Sequence, residues 1–188
     1  MEKSEYFKKK VFYPEFKKIT YFILLIHIIL CLIAIIFITI HLLINKPHNF
    51  YQIIIFIPIC LIIIVIFLND LKIYRTMRYE FRENGLYLIC GKNSDKISYD
   101  EIIGWEKKNL SFNPLASTRI PGYSLGDCYF SNEGTVRMYA TSSGKNILLI
   151  YTKGPKNGIT PKDEKEFILE LEKRVKRKFK LINNLVIY

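Results

Sequence analysis

The sequence predicts a transmembrane α-hairpin followed by a mainly β domain. Three observations carry that reading. Two long runs without a formal charge, Ile19 to Ile44 and Phe50 to Leu68, lie toward the front of the 188-residue chain. All nine glycines occur at or after Gly85, where they punctuate short runs of alternating apolar and polar residues. The chain then closes on a charged stretch of helical period. The mean hydropathy is +0.13 although 24% of residues are charged, so apolar and charged residues are segregated along the chain. That excludes a simple soluble protein, and 50% hydrophobic with 14% aromatic residues excludes disorder.

Residues 1–18 form a basic and aromatic N-terminal segment. Tyr6, Phe7, Val11, Phe12, Tyr13 and Phe16 are mixed with lysines. Such a segment either lies at headgroup level, rings in the interface and ammonium groups toward phosphates, or frays as a basic tail that only sets topology.

Residues 19–69 form the hairpin. A helix over Ile19 to Ile44 reaches roughly 39 Å, longer than the hydrocarbon layer is thick. Asn45-Lys46-Pro47-His48-Asn49 breaks it, and Phe50 to Leu68 supplies a second run of about the minimum spanning length. Ile, Leu and Phe surround both helices and leave no polar face for water. A cleaved signal peptide would have a much shorter apolar core and a small-residue cleavage site. Lys3, Lys8, Lys9, Lys10, Lys17 and Lys18 precede the first span, and Lys72, Arg75, Arg78 and Arg82 follow the second, against Lys46 alone between them. This bias predicts a two-span protein of the cell membrane with both termini cytoplasmic. Neither span contains glycine, so Gly-xxx-Gly dimerisation is not encoded. Pro58 predicts a local irregularity in the second helix. His27, Cys31, His41 and Cys60 are neutral groups tolerated against a neighbouring helix, without the carboxylates of an ion path.

Residues 70–188 read as the cytoplasmic domain. In Thr76 to Arg82, Met77, Tyr79 and Phe81 face one way, and Arg78, Glu80 and Arg82 the other. Asn84-Gly85 is a hairpin turn pair, and Leu86 to Cys90 is the returning strand. Further strands are expected over 96–99, 102–107, 127–131, 135–140 and 146–152, with a longer loop over 108–125. The last three read as consecutive antiparallel strands joined by tight turns. Thr160-Pro161-Lys162-Asp163 then combines a capping residue, a proline at the first helical position and an acid in the first turn. Phe167, Ile168, Leu171, Val175 and Phe179 form the stripe that packs on the sheet. Lys173, Arg174, Lys176, Arg177, Lys178 and Lys180 gather near the helix end, where the dipole favours cations.

No histidine follows His48, so the domain lacks the imidazole of most catalytic constellations and of zinc sites. Cys90 and Cys128 form no Cys-x-x-Cys pair and read as small buried residues. Gly144-Lys145 lacks the earlier glycine and the hydroxyl residue of a phosphate loop and reads as a turn. Asp100, Glu101 and Asp127 make no recognisable carboxylate pair. The expectation is therefore no catalytic residues, no metal and no cofactor. The net charge of +11 has its nearest target in anionic lipid, since no nucleic-acid reading motif accompanies it.

Three stretches over residues 76–178 together resemble a bacterial pleckstrin-homology-like domain of the membrane-anchored type. They are 79–86 with the later 97–102, Arg119-Ile120-Pro121-Gly122-Tyr123-Ser124-Leu125-Gly126, and Ile159 to Phe167. The resemblance implies a strongly bent antiparallel sheet of about seven strands capped by a C-terminal helix. It also implies that Arg119, Pro121, Gly122, Tyr123 and Gly126 belong to the family's characteristic loop rather than to a catalytic site. Eukaryotic lipid-binding members use a basic loop between the first two strands, whereas here that loop is Glu83-Asn84-Gly85.

The expected function is that of a non-enzymatic integral membrane protein presenting this module for protein interaction or self-assembly at the inner membrane surface. Its expected partners are the lipid bilayer and a protein partner or further copies of itself, with no nucleic acid. One alternative is binding of anionic lipid headgroups through Lys173, Arg174, Lys176, Arg177, Lys178 and Lys180; a membrane-surface enzyme ranks last.

Overall fold

The structure, a computed structural model, describes residues 8–45, 50–111 and 124–185, the side chains of 19, 42, 43, 45, 50–54 and 177–185 excepted. It divides into two compact units, residues 18–75 and residues 1–17 with 76–188.

The first unit is a helical pair, α1 (Lys18–Asn45) and α2 (Phe50–Thr76). Both contain stretches long and apolar enough to cross a membrane, Thr20–His41 and Ile55–Thr76. Few residues of either stretch are buried. Leu30, Ile33, Ile36, Phe37, Ile55, Ile62 and Val65 all stand exposed, so neither helix buries its apolar surface in a protein core. The helix α2 continues through Pro58. His27 bonds back to Ile23 O at 2.7 Å and stacks against Phe67 at 4.9 Å, so its place is explained by packing within the pair.

The second unit contains two sheets. The first has the order β1-β2-β3-β4, built from β1 (Lys10–Phe12), β2 (Arg78–Arg82), β3 (Gly85–Cys90) and β4 (Asn93–Ile97). The second has the order β5-β8-β9-β7-β6. Its strands are β5 (Ile102–Lys108), β6 (Ser124–Phe130), β7 (Gly134–Ala140), β8 (Ile147–Thr152) and β9 (Lys156–Ile159). The helix α3 (Glu164–Leu185) closes the domain. The expected mainly β domain with a C-terminal helix is therefore present.

Several details differ from the sequence reading. The turn of the β2–β3 hairpin is Glu83-Asn84, because Gly85 already pairs with Arg82. Gly85 has φ +153°, and a Cβ there would stand 2.5 Å from Ile97 O, so β4 passes too close for any side chain. The strands β7 and β8 are not a hairpin. Between them lies β9, antiparallel to β8 and parallel to β7. Its sequence, Lys156-Asn157-Gly158-Ile159, has no alternation to announce it. Gly158 sits in the middle, where a Cβ would meet Met138 Sδ at 2.5 Å.

The largest difference is β1. Residues expected to ride at headgroup level or to fray instead extend the first sheet, with Lys10 opposite Phe81, Val11 opposite Glu80 and Phe12 opposite Tyr79. The contact continues beyond the strand. Glu15 N donates to Thr160 O at 3.0 Å, Lys162 N donates to Tyr13 O at 2.9 Å, and Pro14 bridges Pro161. Phe12 is the reason the arm stays down. Its ring meets Phe81 and Phe167 edge-to-face at 5.5 and 5.2 Å, inside a cluster that also holds Tyr79.

That cluster is where α3 docks. Phe167, Leu171 and Val175 form its buried stripe, as their spacing predicted, while Ile168 is only half-buried and Phe179 lies outside the described side chains. A second core cluster gathers Leu110, Cys128, Phe130, Val136, Met138, Ala140, Ile147 and Leu149 within the second sheet. The helix starts later than its sequence suggested. Phe167 N donates to Asp163 O at 2.9 Å, so Asp163 precedes the first turn. Thr160 is used elsewhere, its hydroxyl accepting from Thr141 N at 2.9 Å.

Candidate functional site

The alternation of β2 sorts its residues onto two faces. Tyr79 and Phe81 enter the core, and Arg78, Glu80 and Arg82 turn to the outer face of the first sheet. Paired residues share a face, so the register adds Val11, Tyr87, Ile89, Ser94 and Lys96. At the centre lies Glu80, 1% exposed. Arg78 Nε donates to its Oε1 and Arg82 Nε to its Oε2, each at 2.8 Å, and Lys9 Nζ from the arm stands 3.0 Å from Oε1. Burial by itself would raise the carboxyl, but the hydrogen bonds from Arg78, Arg82 and Lys9 outweigh it and hold the group at about 2. Glu80 is thus an anion at any physiological pH. Arg82 also lies over the Tyr87 ring at 4.3 Å.

A buried polar network joins the arm to both sheets. Tyr79 OH donates to Tyr139 O at 2.7 Å and accepts from Thr160 N at 3.1 Å. Thr141 Oγ1 donates to Glu15 O at 2.6 Å. Burial pushes the Tyr79 phenol well above its ordinary range, and burial likewise pushes the Cys90 thiol up to about 12. Neither group is an acid, a base or a nucleophile at neutral pH. Two further ionic clusters brace the domain. Glu133 takes Lys108 Nζ at 2.6 Å and Lys156 Nζ at 2.9 Å, and these hydrogen bonds hold its carboxyl below the usual range. Arg137 links Asp127 and Asp95, one from each sheet, at 2.9 and 3.3 Å.

Of the residues singled out by the sequence, Gly126 lies in β6 with φ +81°. Arg119, Pro121, Gly122 and Tyr123 lie outside the described residues. The basic residues near the end of α3 do not act as one group. Arg174 is turned inward, its side chain 11% exposed. Its guanidinium bonds Glu170 at 2.5 Å, Arg82 O at 3.3 Å and Lys8 O at 3.1 Å, and it lies 5.5 Å over Phe81. It is a clip that holds the arm and β2 together, so its donors are withdrawn from any lipid surface. Lys176 is exposed and pairs with Glu172, and Lys173 is exposed. The side chains of Arg177, Lys178 and Lys180 lie outside the described residues. Sequence reasoning left Lys9, Arg78 and Arg82 out of any site, although the Arg-x-Glu-x-Arg alternation had already put the last two on one face.

Among the described residues each sheet ends on a strand with one neighbouring strand. In the second sheet β5 is terminal and carries Ile103, 70% exposed, beside a register shift between Ile102 and Gly104. On the other terminal strand, β6, Tyr129 is 46% exposed. Among the described residues no three His, Cys, Asp or Glu side chains come together to hold a metal ion.

Two helices long and apolar enough to cross a membrane, two sheets and a closing helix define a β module of the pleckstrin-homology kind. The comparison with protein families makes this specific. The bacterial PH domain model matches residues 77–175, more than half of the chain, and the protein belongs to that family. Its members are generally non-catalytic. No curated protein and no solved structure matches the chain.

Proposed function

We infer that this is a non-enzymatic integral protein of the cell membrane, its PH-like module held on the cytoplasmic side to bind another protein or to assemble with copies of itself. The observation that carries the reading is Ile103, a large apolar side chain 70% exposed on the terminal strand β5. Among the described residues β5 pairs on one side only, and an apolar side chain on such a terminal strand offers area to bury, which together suit docking of another chain. The lysine and arginine bias around the two spans supports cytoplasmic termini.

The test is site-specific photocrosslinking in native membranes with the crosslinker at position 103. A discrete protein adduct, homotypic or heterotypic, that disappears when Ile103→Lys is introduced beside a crosslinker at position 129 or 105 supports the reading. Recovery of only uncrosslinked monomer from every position on β5 and β6 would count against it.

A further inference from the structure

We propose that the groove holding the N-terminal arm is a strand-acceptor site for the same arm of a second copy, so that the module assembles by arm exchange. The inference deepens the self-assembly reading above and rests on it, but it uses a different surface from β5.

The anatomy of the contact is the first argument. Of residues 8–16 only Phe12 and Pro14 are buried. Phe12 lies between Phe81 and Phe167, at 5.5 and 5.2 Å, whereas Tyr13 and Phe16 of the same arm stay 57% and 41% exposed. Main-chain bonds surround that anchor: the β1–β2 ladder, Glu15 N to Thr160 O at 3.0 Å and Lys162 N to Tyr13 O at 2.9 Å. Ion pairs form the rim, Lys9 with Glu80 at 3.0 Å and Lys10 with Glu166 at 2.8 Å. One buried aromatic, a backbone ladder and a charged rim are the makings of an interface between a domain and a peptide that adds a strand to it. A core strand would bury more than this.

Transferability is the second argument. The arm's partners lie on β2, on α3 and in the segment just before α3, and none of them lies on the arm itself. A second copy carries the identical segment, so an exchanged pair keeps every contact of the closed form. The groove is also costly to leave empty. With the arm out, β2 becomes the terminal strand of the first sheet, and Phe81 and Phe167, 4.8 Å apart, lose the ring that covers them. Copies anchored in one bilayer offer one another replacement arms at high effective concentration.

The experiment uses two full-length copies with different tags, co-expressed and reconstituted together in liposomes. One carries Lys10→Cys and the other Glu166→Cys, at positions whose side chains stand 2.8 Å apart in the closed form. A short bismaleimide joins them, and mixtures in which one copy is unsubstituted subtract reaction at Cys31, Cys60, Cys90 and Cys128. Both substitutions in one copy should give a same-copy adduct that reports the closed arm. In the mixture, exchange should give an adduct carrying both tags, at a rate that rises with the protein-to-lipid ratio. Phe12→Asp in the Lys10→Cys copy removes the anchor and should abolish that adduct. The same substitution in the Glu166→Cys copy empties its groove and should raise the initial rate about ten-fold or more, for an open form populated at about 10% or less. Misfolding imitates the first effect but not the second.

A two-tag adduct that ignores Phe12→Asp in the arm donor would overturn the proposal, since random encounter would then explain it. So would a same-copy adduct with no two-tag adduct, even when the acceptor's groove is emptied. Absence of both adducts would equally overturn it, because the arm would then occupy no groove. A position-103 adduct that persists through any of these failures leaves the function proposed above standing, so the two are told apart.

Discussion

Replacing Phe12 with alanine tests whether the N-terminal arm is part of the domain. Phe12 is 5% exposed and makes edge-to-face contacts with Phe81 and Phe167 at 5.5 and 5.2 Å. Truncating a buried phenylalanine costs about 3–5 kcal/mol, the ring pairs included. The lower end applies here, because β1 is a three-residue terminal strand whose neighbours can partly close over the gap. With a urea slope of about 1.5 kcal/mol/M, a loss of about 3 kcal/mol moves the unfolding midpoint down by roughly 2 M. The single tryptophan, Trp105, lies on β5 and reports on the domain while detergent keeps the apolar helices solvated. Urea titration of the detergent-solubilised full chain, read by Trp105 fluorescence, is therefore the assay. A midpoint within 0.3 M of the parent, at unchanged slope (roughly the resolution of such a titration), would refute the docking of the arm.

Three further outcomes are expected. Tyr79→Phe removes a hydroxyl that serves both Tyr139 O and Thr160 N, and leaving those buried backbone groups unpaired should cost about 1–3 kcal/mol in the same titration. Gly85→Ala forces a Cβ against Ile97 O at φ +153° and should cost about 2 kcal/mol or more, whereas Gly104→Ala, which meets nothing within 4 Å, should cost under about 1 kcal/mol; equal effects would deny the close approach of β4. Glu80 is held at about 2 in the folded protein against an ordinary 4.5, so its contribution to stability is complete above pH 4.5 and fades as pH falls from 4.5 toward 2. Acid titration of Glu80→Gln should show a flatter stability profile than the parent in that window, and parallel profiles would deny the ion cluster.

Elements with a strong local signal were legible in the sequence, and those held by distant partners were not. The stripe Phe167, Leu171, Val175 and the faces of β2 follow from periods that one element carries by itself. β9 carries no such period; it is a strand because β7 and β8 leave a gap that its backbone fills, with Gly158 where Met138 and Ile147 crowd. Thr160 has the composition of a helix cap, yet its hydroxyl accepts from Thr141 N across the domain. Arg174 looks like one cation in a basic run, but its guanidinium reaches Lys8 O, 166 positions away.

By itself the sequence determined two apolar helices, a β domain with a closing helix, and the absence of histidine from that domain, because hydrophobic period and composition are local properties of a chain. Only the tertiary structure decided that the lysine-rich arm is a strand of the domain it precedes. Only there, too, do Lys9, Arg78 and Arg82 converge on one buried carboxylate. The physical reason is the same in both cases: an edge strand and an ion cluster gain their free energy from groups far away along the chain, and no window of neighbouring residues contains both partners.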